Sequence, residues 1–366
     1  MKPRTLFVAA GLFAGLAPIL RADQEPAGEA ASEPQEPQAA PRLVIKGFGD
    51  IDYRYTGGDG EDTPNTFSLG QLDIFMTSEL SDSLSVLAEV VVESEENEEA
   101  IVDVERYQIK YSASDWLNVV LGRMHTALGH WNQTYHHGTW FQTTALRPEV
   151  YRFEDEGGVL PIHEVGLQVL GTRPVGGVLL EYNLSLTNGR GRNREEIVVT
   201  QDHNASKALN LWLGLKPSAL PGLRFGGVVR FDQIPEDLQG SGRAELSEVI
   251  LGGFATYERA GVEALFELIR VEHEDEAAAV RYDTTGYYVQ AAYGLGRFKP
   301  YYRFDSLEVA DGDPFYRQDT TDIRKHTVGL RVDPWTWAAL KAELSFEDPD
   351  PGEKVNGVAL QAAFTF

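Results

Sequence analysis

The chain of 366 residues contains no cysteine, so neither a disulfide framework nor a thiolate metal site is available to it. Basic residues are scarce beside acidic ones, 32 Lys and Arg against 56 Asp and Glu, for a formal net charge of −24. That balance argues against nucleic acid as a partner, because a surface that binds phosphates must neutralise them with Lys and Arg. It suits cations, or a surface bridged by divalent ions. Beyond the first twenty residues no apolar run approaches helix-spanning length, so any membrane residence must use strands. Catalytic motifs are missing too: no G-x-S-x-G elbow, no P-loop and no H-E-x-x-H. Gly189-Arg190-Gly191-Arg192 follows a strand pattern but leads into a polar loop, so it is no dinucleotide fingerprint.

The N-terminus reads as an address label. Lys2 and Arg4 form a basic n-region, and TLFVAAGLFAGLAPIL supplies an apolar h-region of signal-peptide length, with cleavage expected after Ala22. Residues 23–41 are Glu, Pro, Ala and Gln with almost no bulky apolar side chain, a composition that cannot offset its own ordering entropy. We expect a signal peptide over 1–22, a flexible periplasmic tether over 23–41, and one folded domain over 42–366.

From Arg42 onward a period of two dominates. Ile45, Ile51, Tyr53 and Tyr55 share one face with Gly47 and Gly49, while Lys46, Asp50, Asp52 and Arg54 share the other. Val178, Leu180, Tyr182, Leu184 and Leu186 oppose Glu181, Asn183 and Ser185; Leu340, Ala342, Leu344 and Phe346 oppose Lys341, Glu343 and Ser345. Sixteen such segments are centred near residues 49, 73, 89, 107, 119, 167, 182, 212, 228, 252, 266, 289, 302, 329, 342 and 361. Seven tight connections alternate with eight long ones, among them HEDEAAAVR and EDPDPGEKVN. A soluble sandwich would also use alternating strands. The polar face, however, carries charge of both signs, as a water-filled interior would. Segment lengths also match the roughly 9–11 residues that a tilted strand needs to cross a bilayer. Tyr53, Tyr55, Trp116, Phe298, Trp335, Trp337 and Phe346 gather near strand ends, as interfacial girdles do. The fold expected is all-β: a transmembrane, antiparallel, up-and-down β-barrel of about sixteen strands.

The segment GVALQAAFTF, which alternates strictly to Phe364 and Phe366, resembles the carboxy-terminal assembly signal of Gram-negative outer-membrane barrels. The connection over 125–164 is the longest, and here the chain resembles the sixteen-stranded porins, whose third external loop folds into the lumen and narrows it. In general porins that loop carries an acidic tip. Pro148, Glu149, Tyr151, Glu156, Gly157 and Gly158 look like a stretched version of it, which implies constriction residues Glu149, Arg152, Glu154, Asp155 and Glu156. GRMHTALG (122–129) is also similar to the strand-to-loop junction of porins related to phosphate-selective ones, although this loop holds more carboxylates than arginines.

Taking the polar face as inward, the basic wall comprises Lys46, Arg54, Arg106, Lys110, Arg224, Arg230, Lys299 and Arg303. Inward carboxylates are Asp50, Asp52, Asp73, Glu79, Glu89, Glu181 and Asp232. Opposed charges across a narrow aqueous passage set up a transverse field that favours small polar solutes. Five of the eight histidines, His125, His130, His136, His137 and His163, lie in or beside the long loop. No recognised ligand spacing joins them, so hydrogen-bonded packing is expected and neither a metal nor a cofactor is assigned. Acidic residues of other loops, Glu95, Glu96, Glu98, Glu99, Asp311, Asp313, Asp348, Asp350 and Glu353, read as a solvated surface bridged to lipopolysaccharide by divalent ions.

The reading is passive diffusion of small hydrophilic solutes or ions with mild cation preference, and no covalent chemistry. The alternatives are a substrate- or phosphate-selective porin, and a plugged structural barrel or rim-located hydrolase. The resemblance further implies residence in the outer membrane, insertion by the barrel-assembly machinery, contact with lipid and lipopolysaccharide, and a homotrimer joined through apolar outer faces that include Phe364 and Phe366.

Overall fold

A computed structural model describes residues 42–58, 66–94, 100–154, 156–194, 196, 202–238, 240–276, 278–316 and 320–366. The expected leader and tether, Asp155 and the acidic run 95–99 lie outside the described residues.

Strands β1 (Arg42–Gly58), β2 (Thr66–Glu79), β3 (Leu84–Ser94), β4 (Ala100–Ser114) and β5 (Leu117–His125) precede the long connection. After it come β6 (His163–Val175), β7 (Val178–Thr187), β8 (Ala208–Pro217), β9 (Leu223–Ile234) and β10 (Leu246–Arg259). The circuit is completed by β11 (Val262–Asp275), β12 (Val280–Tyr293), β13 (Phe298–Glu308), β14 (Asp322–Trp335), β15 (Ala338–Asp350) and β16 (Val355–Thr365). Each strand pairs antiparallel with its sequence neighbours, and β1 pairs with β16, so the sheet is a closed barrel. All the expected segment centres fall inside these strands.

Closure satisfies the edge groups that a bilayer would leave without partners. At the seam the Phe366 amide donates to the Gly47 carbonyl at 2.9 Å, and the Gly47 amide returns a bond to Phe366 at 3.1 Å. Position 47 must be glycine for the seam to close, because a Cβ there would meet the Phe366 ring at 2.5 Å and the Asp73 carbonyl at 2.6 Å.

The distribution of polarity is the reverse of that in a water-soluble protein. Leu43, Ile45, Val102, Val104, Leu213, Leu340 and Leu360 are exposed, while Asp73, Glu89, Arg230, Glu267, Arg303, Asp305 and Glu343 are buried. Trp116, Phe298, Trp335, Trp337 and Phe346 are also exposed, and Trp335 stacks on Trp337 with ring centroids 5.0 Å apart. Phe366, one residue past the end of β16, is exposed, and Phe364 on β16 is half-buried.

The structure departs from the sequence-based expectation in three respects. Two connections expected to be long are short, 276–279 and 351–354, because the flanking strands continue through their charged residues. The inner face is not uniformly polar: Trp212, Val228, Ile250, Phe254, Leu265 and Ile269, on β8 to β11, are buried there. And β4 holds a bulge. Glu89 pairs with Arg106 but Val90 pairs with Val104, so Glu105 is an extra residue. A bulge re-aims side chains; Glu105 is buried beside half-buried Arg106, while Val104 and Tyr107 are exposed.

Candidate functional site: a charged chamber beside the long connection

The β5–β6 connection, residues 126–162, carries its own apolar side chains. Leu128, Trp131, Val150, Tyr151, Leu160 and Ile162 form one buried cluster with the wall residues Trp212, Ile250, Phe254, Leu265, Ile269 and Tyr288. This explains why the β8–β12 part of the inner face is apolar: it is a docking surface for the connection. Burial of that many large side chains is the dominant stabilising contribution to their association.

Wall side chains then satisfy the backbone of the connection, which has little regular structure of its own. Glu267 on β11 accepts from the amides of His130 (2.6 Å) and Trp131 (2.8 Å) at the start of the single-turn helix α1 (Trp131–Thr134), and from the hydroxyls of Tyr151 (2.7 Å) and Tyr288 (2.6 Å). Gly129, at φ +56°, makes room for it, since a Cβ would collide with both Glu267 and the Tyr151 hydroxyl. Glu343 on β15 accepts from the amides of Ala145 (2.7 Å) and Leu146 (3.3 Å). Arg303 on β13 donates to Thr144 Oγ1 (3.0 Å) and to the carbonyls of Leu146 (2.8 Å) and Arg147 (2.9 Å). Arg331 on β14 holds the carbonyls of Trp140 and Gln142, each at 2.8 Å, and Lys341 holds those of Thr139 and Thr144.

Beside this segment lies a chamber of about 870 Å³. Its wall contains seven carboxylates, Asp50, Glu93, Asp103, Glu105, Glu149, Glu154 and Glu156, against four cationic side chains, Arg54, Arg147, Arg152 and Lys325. Carboxylates thus outnumber cationic side chains around the chamber. Glu149 sits in a 3-10 turn, Glu149–Tyr151, between Arg152 and Lys325, whose Nζ is 2.7 Å from it. Burial alone would raise the Glu149 pKa, but Lys325 and then Arg152 outweigh it and hold the carboxyl at about 2. His130 is pushed the other way, to about 3, by burial and by Arg224 and Lys216. It is therefore a neutral ring, with Nδ1 3.0 Å from the Arg224 guanidinium.

Four of the loop histidines gather at one side of the chamber, three of them lining it. His136, His137 and His163 all face Glu105, and His125 stacks on His136 with ring centroids 3.5 Å apart. His130 is the exception, packed against Tyr135 and Phe254.

Of the residues expected at the constriction, Glu149, Arg152, Glu154 and Glu156 line the chamber, whereas Asp155 is outside the described residues. The basic wall differs from the expected ladder. Arg54 lines the chamber and bonds Asp52 at 2.7 Å. Arg106 pairs with Glu89, Arg224 with Glu181, Arg230 with Asp232, and Lys299 with Glu263. Arg303 pairs with Asp305 and serves the connection's backbone, so these cations are committed to structural partners. Lys46 is exposed and Lys110 half-buried at the tight-turn ends, and neither lines the chamber. Among the inward carboxylates, Asp50, Asp52, Asp73, Glu89 and Asp232 are buried; Glu79 is exposed. Asp313, expected at the surface, is buried against His273 at 2.7 Å.

Sequence reasoning passed over Lys325, Glu263, Glu267, Arg331, Lys341 and Glu343 as partners of the connection. All occupy the inward phase of their strands, so that phase was the signal. Glu105 had no such signal, because its strand shifts phase at that residue.

No family model matches the chain, and no curated protein matches it. Solved structures do. An anion-selective porin from Comamonas acidovorans superposes with a TM-score of 0.63 at 12% identity, covering 89% of this chain and 100% of that one. OmpT, an outer membrane protein of Vibrio cholerae in its trimer form, gives 0.58 at 12% identity, with 90% and 100% covered. The outer membrane channel DcaP of Acinetobacter baumannii gives 0.58 at 12% identity, with 89% and 97% covered. The chain has the fold of the sixteen-stranded Gram-negative porins.

Proposed function

We propose that the protein is an outer-membrane porin that lets small hydrophilic solutes and ions diffuse passively, with a mild preference for cations. The observation that carries this reading is the chamber: a space of about 870 Å³ bordered by charged groups, within a barrel that exposes apolar side chains such as Leu213, Leu340 and Leu360 on its outside. The 126–162 connection lies across the lumen in this reading. What supports it is the set of bonds from that segment to buried side chains of β11, β13, β14 and β15, together with its packing on Trp212 and Phe254 of β8 and β10. Passage is then confined to the side of the lumen where Glu149, Glu154 and Glu156 stand with Arg152 and Lys325. Selectivity arises from fixed charge and width, and the function requires no cofactor and no covalent step.

The same reading places the chain in the outer membrane, in contact with lipid and lipopolysaccharide, inserted by the barrel-assembly machinery with Phe364 and Phe366 as its signal. A homotrimer is consistent with the trimer form recorded for one structural neighbour. The test is single-channel recording of refolded protein under a salt gradient. Conductance steps in groups of three with a cation-favouring reversal potential support the proposal. An anion-favouring potential would keep the pore but give control to Arg54, Arg147 and Arg152, as in a phosphate-type channel. A folded barrel without conductance would overturn diffusion in favour of a plugged barrel or a rim enzyme.

A further inference from the structure

The β4 bulge brings a carboxylate into a nest of imidazoles. His163 Nε2 contacts Glu105 Oε2 directly, His136 Nε2 lies 3.5 Å from the same oxygen, and His137 Nε2 lies 3.1 Å from Oε1. One donor atom from each of Glu105, His125, His136 and His163 falls within 4.8 Å of the other three. These residues come from β4, β5, the long connection and β6, so only the folded chain assembles them.

Hydrogen bonding orients the rings of His136 and His137. Asn132 Nδ2 donates to the carbonyls of Thr126 (2.9 Å) and Ile162 (3.0 Å), so its Oδ1 is the atom facing His136 Nδ1 at 2.8 Å. His136 therefore carries a proton on Nδ1, and Nε2 is the atom turned toward Glu105. The same logic applies to His137. Gln71 Nε2 donates to Glu93 at 3.0 Å, leaving Gln71 Oε1 to accept from His137 Nδ1 at 2.7 Å. The Nε2 atoms of His136, His137 and His163 thus converge on one carboxylate, with His163 Nε2 only 2.8 Å from that of His136. His125 Nε2 and His163 Nδ1 make no hydrogen bond, although both side chains are largely buried. Ring nitrogens gathered this closely around a carboxylate are placed to share one cation. An amide oxygen holding the far ring nitrogen is also the arrangement that orients histidine toward a metal.

We infer that Glu105, His125, His136 and His163 form a binding site for a divalent transition metal of the zinc class. Three imidazoles and one carboxylate suit Zn²⁺, and also Co²⁺ or Ni²⁺, better than the oxygen-seeking Ca²⁺ or Mg²⁺. Tetrahedral metal–ligand bonds of about 2.0–2.2 Å set donors about 3.3–3.6 Å apart. His136 Nε2 and His163 Nε2, now 2.8 Å apart, would therefore separate by about half an ångström or more while the wider pairs draw in. Glu105, His136 and His163 also line the chamber, so an ion in water reaches them. Bound there, it would tie the long connection, through His136, to three neighbouring strands. His136 adopts φ +38°, a left-handed backbone that costs a non-glycine residue energy, and its Nε2 lies 3.5 Å from Glu105.

The test uses the refolded full-length chain stripped with a chelator. Titration calorimetry with ZnCl₂ is expected to show a single ion per chain, weakened at least ~10-fold in Glu105→Gln and His163→Gln. It should be unchanged in His326→Gln, which alters an exposed histidine on β14. Co²⁺ added to the wild-type chain should give the intense visible absorption of a tetrahedral site, a readout that survives even if a variant fails to refold. No stoichiometric zinc binding, equal binding by the cluster variants, or a weak octahedral Co²⁺ spectrum would overturn the inference. The inference goes beyond solute diffusion. Binding is read by calorimetry whether or not the barrel conducts, so the two readings fail separately.

Discussion

Lys325 Nζ stands 2.7 Å from Glu149 and 3.2 Å from Glu347, so one lysine of β14 grips both the turn of the long connection and the adjacent strand β15. Lys325→Met leaves Glu149 with Arg152 alone. Removing one partner of a buried pair costs about 3–5 kcal/mol when the other charge stays dry. Because Glu149 borders the chamber and can recruit water, the lower end is expected. The measurement is the thermal transition of the barrel together with current noise in single-channel records: a lower midpoint and a noisier open state. An unchanged midpoint and quiet current would show that the grip contributes nothing.

The Glu149 carboxyl also gives a pH dependence of known sign. Its pKa is about 2 in the folded chain and near the ordinary 4.5 when unfolded. A depressed pKa stabilises the ionised folded state fully above the unfolded value, and that stability is lost as pH falls through the folded one. The excess stability of wild type over Glu149→Gln should therefore be constant above about pH 5 and vanish toward about pH 2. Parallel melting curves across that range check it. A difference that grew on acidification would contradict the assignment.

Arg303→Lys exchanges a planar guanidinium for a point charge. The guanidinium reaches Thr144 Oγ1 and two consecutive carbonyls at once, a geometry that an ammonium cannot reproduce. Leaving one or two of those buried acceptors without a donor costs about 1–3 kcal/mol each. The connection should loosen while the barrel still forms. Liposome swelling is expected to admit larger sugars than wild type does; an identical size cutoff would mean that Arg303 does not position the connection.

Charge in the chamber predicts selectivity. Converting Glu154 and Glu156 to Gln removes two of seven lining carboxylates and brings the count close to balance with the four cationic groups. The reversal potential under a salt gradient should move toward zero. At about 1 M salt, where the screening length is about 3 Å, wild type and variant should converge. A potential indifferent to both changes would locate selectivity outside the chamber.

Most of the barrel was legible in the sequence because one physical variable, the alternation of side chains, encodes it redundantly along every strand. Leu340, Ala342 and Leu344 against Lys341 and Glu343 specify a strand and its two faces at once. The chamber was legible in part. Glu149 and Arg152 stood out on a loop whose length demanded explanation, but their true cationic neighbour, Lys325, lies 176 residues from Glu149 along the chain, and only the register of β14 supplies it. The docking side of the inner face was hidden, because Ile250, Phe254 and Ile269 sit in strands apolar on both faces. The histidine cluster was hidden for a different reason. Its spacing follows no local motif, and its carboxylate stands where alternation would point it outward.

That carboxylate belongs to a residue of β4 that the pairing with β3 does not require. With Glu105 deleted, Val104 would still face outward, Arg106 would still face inward, and the partners of Glu89 and Val90 would fall into a single unbroken register. The strand is complete without it, as a sentence is without a parenthesis. A position exempt from the parity rule that constrains every neighbour is one where chemistry, rather than architecture, decides which side chain stands there.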